Sequence, residues 1–193
     1  MTVIWDTYNE ACPGYFLDYF EPIPNIEFLP KNEKKLKIDY EGCSAYSEFD
    51  PKKVFIYKEL KLLPHLQQRI MEKVNKLENN YIAVHIRRTD HIDLAKKNKV
   101  YTTDQDFYDF IDKNLENHCY LYIATDNRET QNIFIKKYGP EVPIIKMIEK
   151  SNKKRQTTLE DSIIDLYMCI HAQKFKGSGW SSFSDFIYQF REK

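Results

Sequence analysis

From Pro64 onward the chain switches repeatedly between two hydrophobic rhythms. Leu66, Ile70, Val74 and Leu77 recur at helical spacing with Lys and Glu between them, which predicts an amphipathic helix. Tyr81 to Ile86 is an unbroken β-prone run, expected for a strand covered on both faces. Thr103 followed by Asp106 has the form of a capping box and opens a helix carrying Phe107, Phe110 and Ile111. A second buried strand is expected over Tyr120 to Ala124, then a short helix from Thr130 to Tyr138 that Gly139-Pro140 stops. Val142-Pro143-Ile144-Ile145 supplies a third strand candidate, with its proline tolerable at the start. Thr158 and Asp161 cap a long helix through Ala172, with Leu159, Ile163, Leu166 and Ile170 on one face. Phe175 marks a brief strand and Gly177 to Ser182 a tight turn. A last helix turns Phe183, Phe186, Ile187 and Phe190 inward.

Alternation of strand and helix over 64–193 predicts an α/β layer with a Rossmann-like, mainly parallel sheet. Such sheets bind ligands at the carboxyl ends of their strands. The first 50 residues are different. Pro13, Pro22, Pro24 and Pro30 interrupt every run, and Lys31 to Asp50 is polar and turn-rich. Tyr15, Phe16, Tyr19 and Phe20 form a short amphipathic turn whose aromatic face needs a partner. Val54 to Tyr57 reads as a short strand or an extended entry segment. The expected organisation is therefore an irregular, acidic N-terminal arm over 1–50, lying on a Rossmann-like domain over 51–193.

Charge changes this picture. The chain has 29 basic and 29 acidic side chains, a balance that argues against a generic nucleic-acid binder. The zero conceals a split: residues 1–50 carry 4 basic and 10 acidic groups, leaving the remainder at +6. Positive charge thus collects where the sheet would bind an anion. Cys12, Cys43, Cys119 and Cys169 show no metal-ligand spacing, and the last two lie in apolar stretches as small hydrophobes. No signal peptide is visible and no run is long enough for a membrane span, so the expectation is a cytoplasmic chain.

Three polar clusters fall at predicted strand ends. His85-Ile86-Arg87-Arg88-Thr89-Asp90 places His85 and Arg87 on one side and Arg88 on the other. An arginine fork there suits phosphate, but a structural Arg–Asp pair with a satisfied core histidine fits equally. Ala124-Thr125-Asp126-Asn127 is either part of a site or a simple helix cap. Gly177-Ser178-Gly179-Trp180-Ser181-Ser182 offers backbone N–H groups and hydroxyls at a helix start, which can hold phosphate oxygens or make an ordinary turn. There is no P-loop, and no GxGxxG follows a strand.

In this order the clusters resemble the three motifs of the GDP-fucose-dependent fucosyltransferases of the α1,6, nodulation-type and protein-O-fucosylating superfamily. Val84 to Asp90 is similar to the first motif, and Leu121 to Asp126 to the second. Ile163-Ile164-Asp165 running on to Ser181-Ser182 is similar to the third. The resemblance covers roughly 52–193 and implies the C-terminal, donor-binding half of a two-domain GT-B glycosyltransferase, with Trp5-Asp6 and Tyr15 to Phe20 weakly echoing the segment before it. It implies that Arg87 holds the β-phosphate of GDP-fucose and that His85 and Arg88 line the same pocket. Asp165 would read the guanine N1 and N2 edge, Ser181 with Ser182 would bind the diphosphate, and Asp90 and Asp126 would order the pocket. The α1,6 group has Lys after the motif's Asp, where this chain has His91, a weaker and pH-dependent positive charge.

The implied reaction is inverting, metal-independent transfer of fucose from GDP-fucose, without a further cofactor, to a glycan or protein hydroxyl. Asp93 is the acidic residue nearest in sequence that could take the hydroxyl proton. A GT-B site lies between two domains, so an N-terminal domain is an expected partner. Three alternatives remain at this point: a non-catalytic GDP-sugar-binding module, a glycosyltransferase for another nucleotide sugar, and a structural or interaction domain that uses the aromatic arm as its contact surface.

Overall fold

The computed structural model describes residues 2–3, 14–29, 57–89, 92–116, 118–139 and 157–192. The expected boundary near residue 50, the strand candidate Val142 to Ile145, Trp5-Asp6, Cys12, Cys43, Asp90 and His91 lie outside them. The chain forms two compact units, Met1–Gln67 and Gln68–Lys193.

In the first unit β1 (Thr2–Val3) pairs in parallel with β2 (Glu27–Phe28). The aromatic turn is a short 3-10 helix, Phe16–Asp18. Its face finds a partner within the unit: the buried Phe16 ring stacks on Phe28 at 4.7 Å and on Phe20 at 5.0 Å.

The second unit begins within helix α1 (Pro64–Lys76), whose Ile70 and Val74 are buried as the spacing predicts. Then follow β3 (Tyr81–Ile86), α2 (Ile92–Lys97), α3 (Asp104–Asn114), β4 (Tyr120–Thr125) and α4 (Arg128–Tyr138). The chain ends with α5 (Leu159–His171), β5 (Lys174–Gly177) and α6 (Ser182–Arg191). Both expected capping boxes form, Thr103 with Asp106 and Thr158 with Asp161. The short helix α2 had no counterpart among the predicted elements.

Among the described residues the main sheet has three parallel strands in the order β4-β3-β5. This is the expected α/β sheet, flanked by helices. Strand alternation divides its core in two. Ile82, Val84 and Ile86 of β3, with Leu121 and Ile123 of β4, pack against Phe107, Ile111, Phe134 and Tyr138 from α3 and α4. On the opposite face Tyr81 and Tyr122 reach α5, donating to the Met168 carbonyl and to Asp165 Oδ1, each at 2.7 Å.

Helix α5 turns a different stripe inward from the one its sequence suggested. Ile164, Asp165, Met168 and Cys169 are buried with Ile163, whereas Leu159, Leu166 and Ile170 are half-buried. The helix touches both the sheet and α6, so its apolar arc is wide and the sheet selects the part that faces Tyr81 and Tyr122. Arg191 of α6 closes its last turn by donating to the carbonyls of Cys169, Ile170, Ala172 and Gln173 at 2.6–3.1 Å. A cation here meets both the unpaired carbonyls and the negative end of the helix dipole.

Candidate functional site

The strand order defines where the chain can hold a ligand. β3 leads to β4 on one side, and the chain then crosses to β5 on the other, so the direction of winding reverses between β3 and β5. Open α/β sheets bind ligands at that switch point, outside the carboxyl ends. The last paired residues are Ile86 with Thr125 and His85 with Gly177. All three polar clusters therefore begin at one edge.

Residues 87–89 are tied to both neighbouring strands. On the β5 side, Ser178 is buried, its N–H donates to the His85 carbonyl (2.9 Å), and its Oγ accepts from the Arg87 N–H (2.9 Å). The same hydroxyl donates to the His85 carbonyl at 3.2 Å. On the β4 side, Asp126 Oδ1 accepts from the Arg88 N–H (2.9 Å) and Oδ2 from the Thr89 hydroxyl (2.5 Å). Asp126 thus serves the neighbouring loop, while Asn127 caps α4 by accepting from the Thr130 N–H at 2.8 Å. The second cluster thus caps α4 and also ties down the loop after β3.

The two arginines part company. Arg88 follows the even-numbered side chains of β3 toward α3, where its guanidinium donates to Asp104 Oδ1 at 2.6 Å. It lies over the Tyr101 and Phe107 rings at 5.2 and 5.6 Å, with its side chain only 8% exposed. Arg88 is thus a buried guanidinium beside aromatic rings, paired with a carboxylate that remains partly open to solvent. The Arg–Asp pair seen here joins Arg88 to Asp104 of α3, outside its own cluster. Arg87 is half-buried and by alternation continues the His85 side of the sheet.

His85 is buried, with Nδ1 and Ser184 Oγ 2.7 Å apart and its ring 4.5 Å from that of Phe183. Gly177, its register partner, lies so close to α6 that a Cβ there would meet the Ser184 side chain. Ser181 is fully buried as the N-cap of α6, accepting from the Ser184 N–H, and Ser182 is exposed on the first turn. Asp93 stands exposed on the first turn of α2.

Asp165 stands apart from this group. It is 5% exposed and paired with Tyr122, which lies three residues before the end of β4 and thus roughly 10 Å below the carboxyl edge. Burial, and then the adjacent Asp165 carboxylate, push the Tyr122 hydroxyl well above its ordinary value of 10.0, so it remains a donor.

Asp104, Ser184, Tyr122 and the clamp made by Ser178 were not singled out from sequence. Ser178 lay within a recognised cluster. Asp104, in the first turn of α3, had only an acidic helix start as its signal. Among the described residues, no three His, Cys, Asp or Glu side chains gather as metal ligands, and no helix is long and apolar enough to cross a membrane.

No family model and no curated protein matches the chain. Solved structures do match it in fold. POFUT1 in complex with GDP-fucose aligns at a TM-score of 0.52 and 14% identity, covering 74% of this chain and 47% of that one. NodZ α-1,6-fucosyltransferase soaked with GDP-fucose aligns at 0.51 and 15%, with coverages of 74% and 47%. Fucosyltransferase NodZ from Bradyrhizobium aligns at 0.54 and 14%, covering 96% of this chain and 80% of that one. The matched part spans just under half of the first two proteins. The fold is therefore the α/β fold found in these GT-B fucosyltransferases, as the three motifs led us to expect.

Proposed function

We propose that this chain binds GDP-fucose at the β3–β5 switch point and supplies the donor side of an inverting, metal-independent fucosyl transfer to a glycan or protein hydroxyl. The observation that carries this reading is the clamped edge. Arg87 is held by Ser178 beside the start of α6, in a fold shared with proteins solved with GDP-fucose. Breaking the fucose–phosphate bond leaves negative charge on the GDP diphosphate. The Arg87 guanidinium and the first N–H groups of α6 would stabilise that charge as it grows, and donors fixed beforehand need no reorganisation during the step. Inversion requires the acceptor hydroxyl to attack from the face opposite GDP, with Asp93 taking its proton. Asp165 would read guanine, which would then share the carboxylate that Tyr122 already engages. Asp126 orders the loop carrying Arg87 and Arg88, and Ser181 and Ser182 set the first turn of α6.

Calorimetry on the full chain with GDP, GDP-fucose and UDP tests the reading. GDP and GDP-fucose should bind, with UDP markedly weaker. Arg87→Ala should weaken GDP by about 10–150-fold, the worth of a charge-assisted hydrogen bond. If the loss is no greater than for a remote Lys136→Ala control, the phosphate role is wrong. Equal affinity for UDP would sink the Asp165 assignment and favour another nucleotide sugar. Because the matched part spans under half of POFUT1, donor binding without turnover is the second reading, and a fucose-transfer assay over an acceptor panel separates the two.

A further inference from the structure

Trp180, on the same edge, occupies an unusual position. It lies in the turn between β5 and α6 with φ 57°, a left-handed conformation that bulky side chains rarely adopt. Half of its surface is nonetheless open to solvent. Neither backbone preference, which would favour glycine, nor the hydrophobic effect, which would bury an indole, accounts for a tryptophan at this place. The turn is built firmly around it. The Gly179 N–H donates to Thr102 Oγ1 at 2.8 Å, and a Cβ on Gly179 would run into the Val100 carbonyl oxygen. Val100 is itself among the exposed large hydrophobics. Strained backbone persists where its surroundings over-determine it, and such positions concentrate at ligand sites.

We infer that Trp180 is the stacking platform for a pyranose ring, forming a sugar subsite beside the switch point. This rests on the donor reading in one respect, that the diphosphate lies between Arg87 and the start of α6. One face of a pyranose offers mainly C–H groups and its rim offers hydroxyls. The flat, electron-rich face of an indole matches the former and leaves the latter to water and polar neighbours. The fold gives the direction. Asp165, the candidate base reader, is on the α5 face of the sheet, whereas Gly179 is fastened to residues 100–102, which lead into α3 on the other face. A nucleotide sugar reaching from Asp165 across Arg87 would bring its sugar end to Trp180. The ring is either the donor's fucose or a residue of a glycan acceptor, and both present the same C–H face.

The test uses the full chain with Trp5→Phe, so that tryptophan emission reports on position 180 alone. GDP, GDP-fucose, and maltotriose, cellotriose or tri-N-acetylchitotriose with and without GDP are titrated, with calorimetry in parallel. A saturable blue shift with GDP-fucose but not GDP assigns the ring to the donor; a shift with a trisaccharide assigns it to the acceptor. Trp180→Ala should weaken that sugar ligand by about 3–10-fold, leave GDP affinity unchanged, and be partly rescued by Trp180→Phe. Trp180→Gly relieves the left-handed strain, so it should lose the sugar equally while its melting temperature holds or rises. A full shift with GDP alone would make Trp180 a base contact and overturn the inference, as would no shift with GDP-fucose and every trisaccharide. A trisaccharide shift in a chain that calorimetry finds unable to bind GDP would keep the sugar subsite and refute the nucleotide reading instead.

Discussion

Ser178→Ala isolates the clamp at the switch point. In the native chain the Ser178 hydroxyl accepts from the Arg87 N–H at 2.9 Å and donates to the His85 carbonyl at 3.2 Å. The carbonyl keeps a second partner, the Ser178 N–H at 2.9 Å, so deleting the hydroxyl does not orphan it. The loss falls on the Arg87 N–H. An orphaned buried donor costs about 1–3 kcal/mol, and this one is only partly buried, which puts the expected loss at about 1–2 kcal/mol. At an m-value of about 2 kcal/mol/M the urea midpoint should fall by about 0.5–1 M with m unchanged. The loop would then lose this tie to β5 while keeping the one to β4 through Asp126, so GDP should bind about 3–10-fold more weakly although no side chain proposed to touch it has changed. Ser162→Ala is the control, since its hydroxyl bonds only to a carbonyl one turn back on an exposed helix face. A loss below about 0.5 kcal/mol, or one that the control matches, refutes the clamp.

Arg191→Met keeps the apolar stem and removes the donors to four carbonyls. Chemical denaturation should show a loss of about 2–4 kcal/mol, and a value near zero would mean that water replaces the guanidinium without cost. Two hydrogen bonds from Thr103 hold the Asp106 carboxyl below its usual 3.8. A folded pKa depressed in this way stabilises above pH 3.8, and the contribution disappears as pH falls through the lower folded value. The stability gap between parent and Asp106→Asn should therefore be widest near neutral pH and close in acid; a gap that widens on acidification contradicts the assignment. Gly179→Ala should destabilise the chain and displace the Trp180 turn, because the new Cβ meets backbone at Val100 and not a flexible side-chain end. Unchanged melting together with unchanged Trp180 emission would count against that contact.

Much of the fold was legible because its determinants are local. The capping boxes at Thr103 and Thr158 span three residues, and the β3 and β4 runs are bounded by their own composition. The three polar clusters were legible for the same reason, since each sits within a few residues of a strand end. Which side chain does what was decided elsewhere. Alternation set Arg88 opposite Arg87, but its partner Asp104 comes from α3, 16 residues away. His85 meets Ser184 across 99 residues of sequence, and the Arg87 N–H meets Ser178 across 91. Asp165 kept its motif position but is buried against Tyr122, because the sheet and not the helix's own periodicity chose the inward face of α5. Strands, caps and the edge at which polar groups gather could be read locally, since these follow from neighbours within a turn or two. Which arginine meets Asp104 and which has its N–H clamped by Ser178 was settled only in the packed fold. That choice depends on the parallel pairing of β3 with both β4 and β5, contacts that no local pattern encodes.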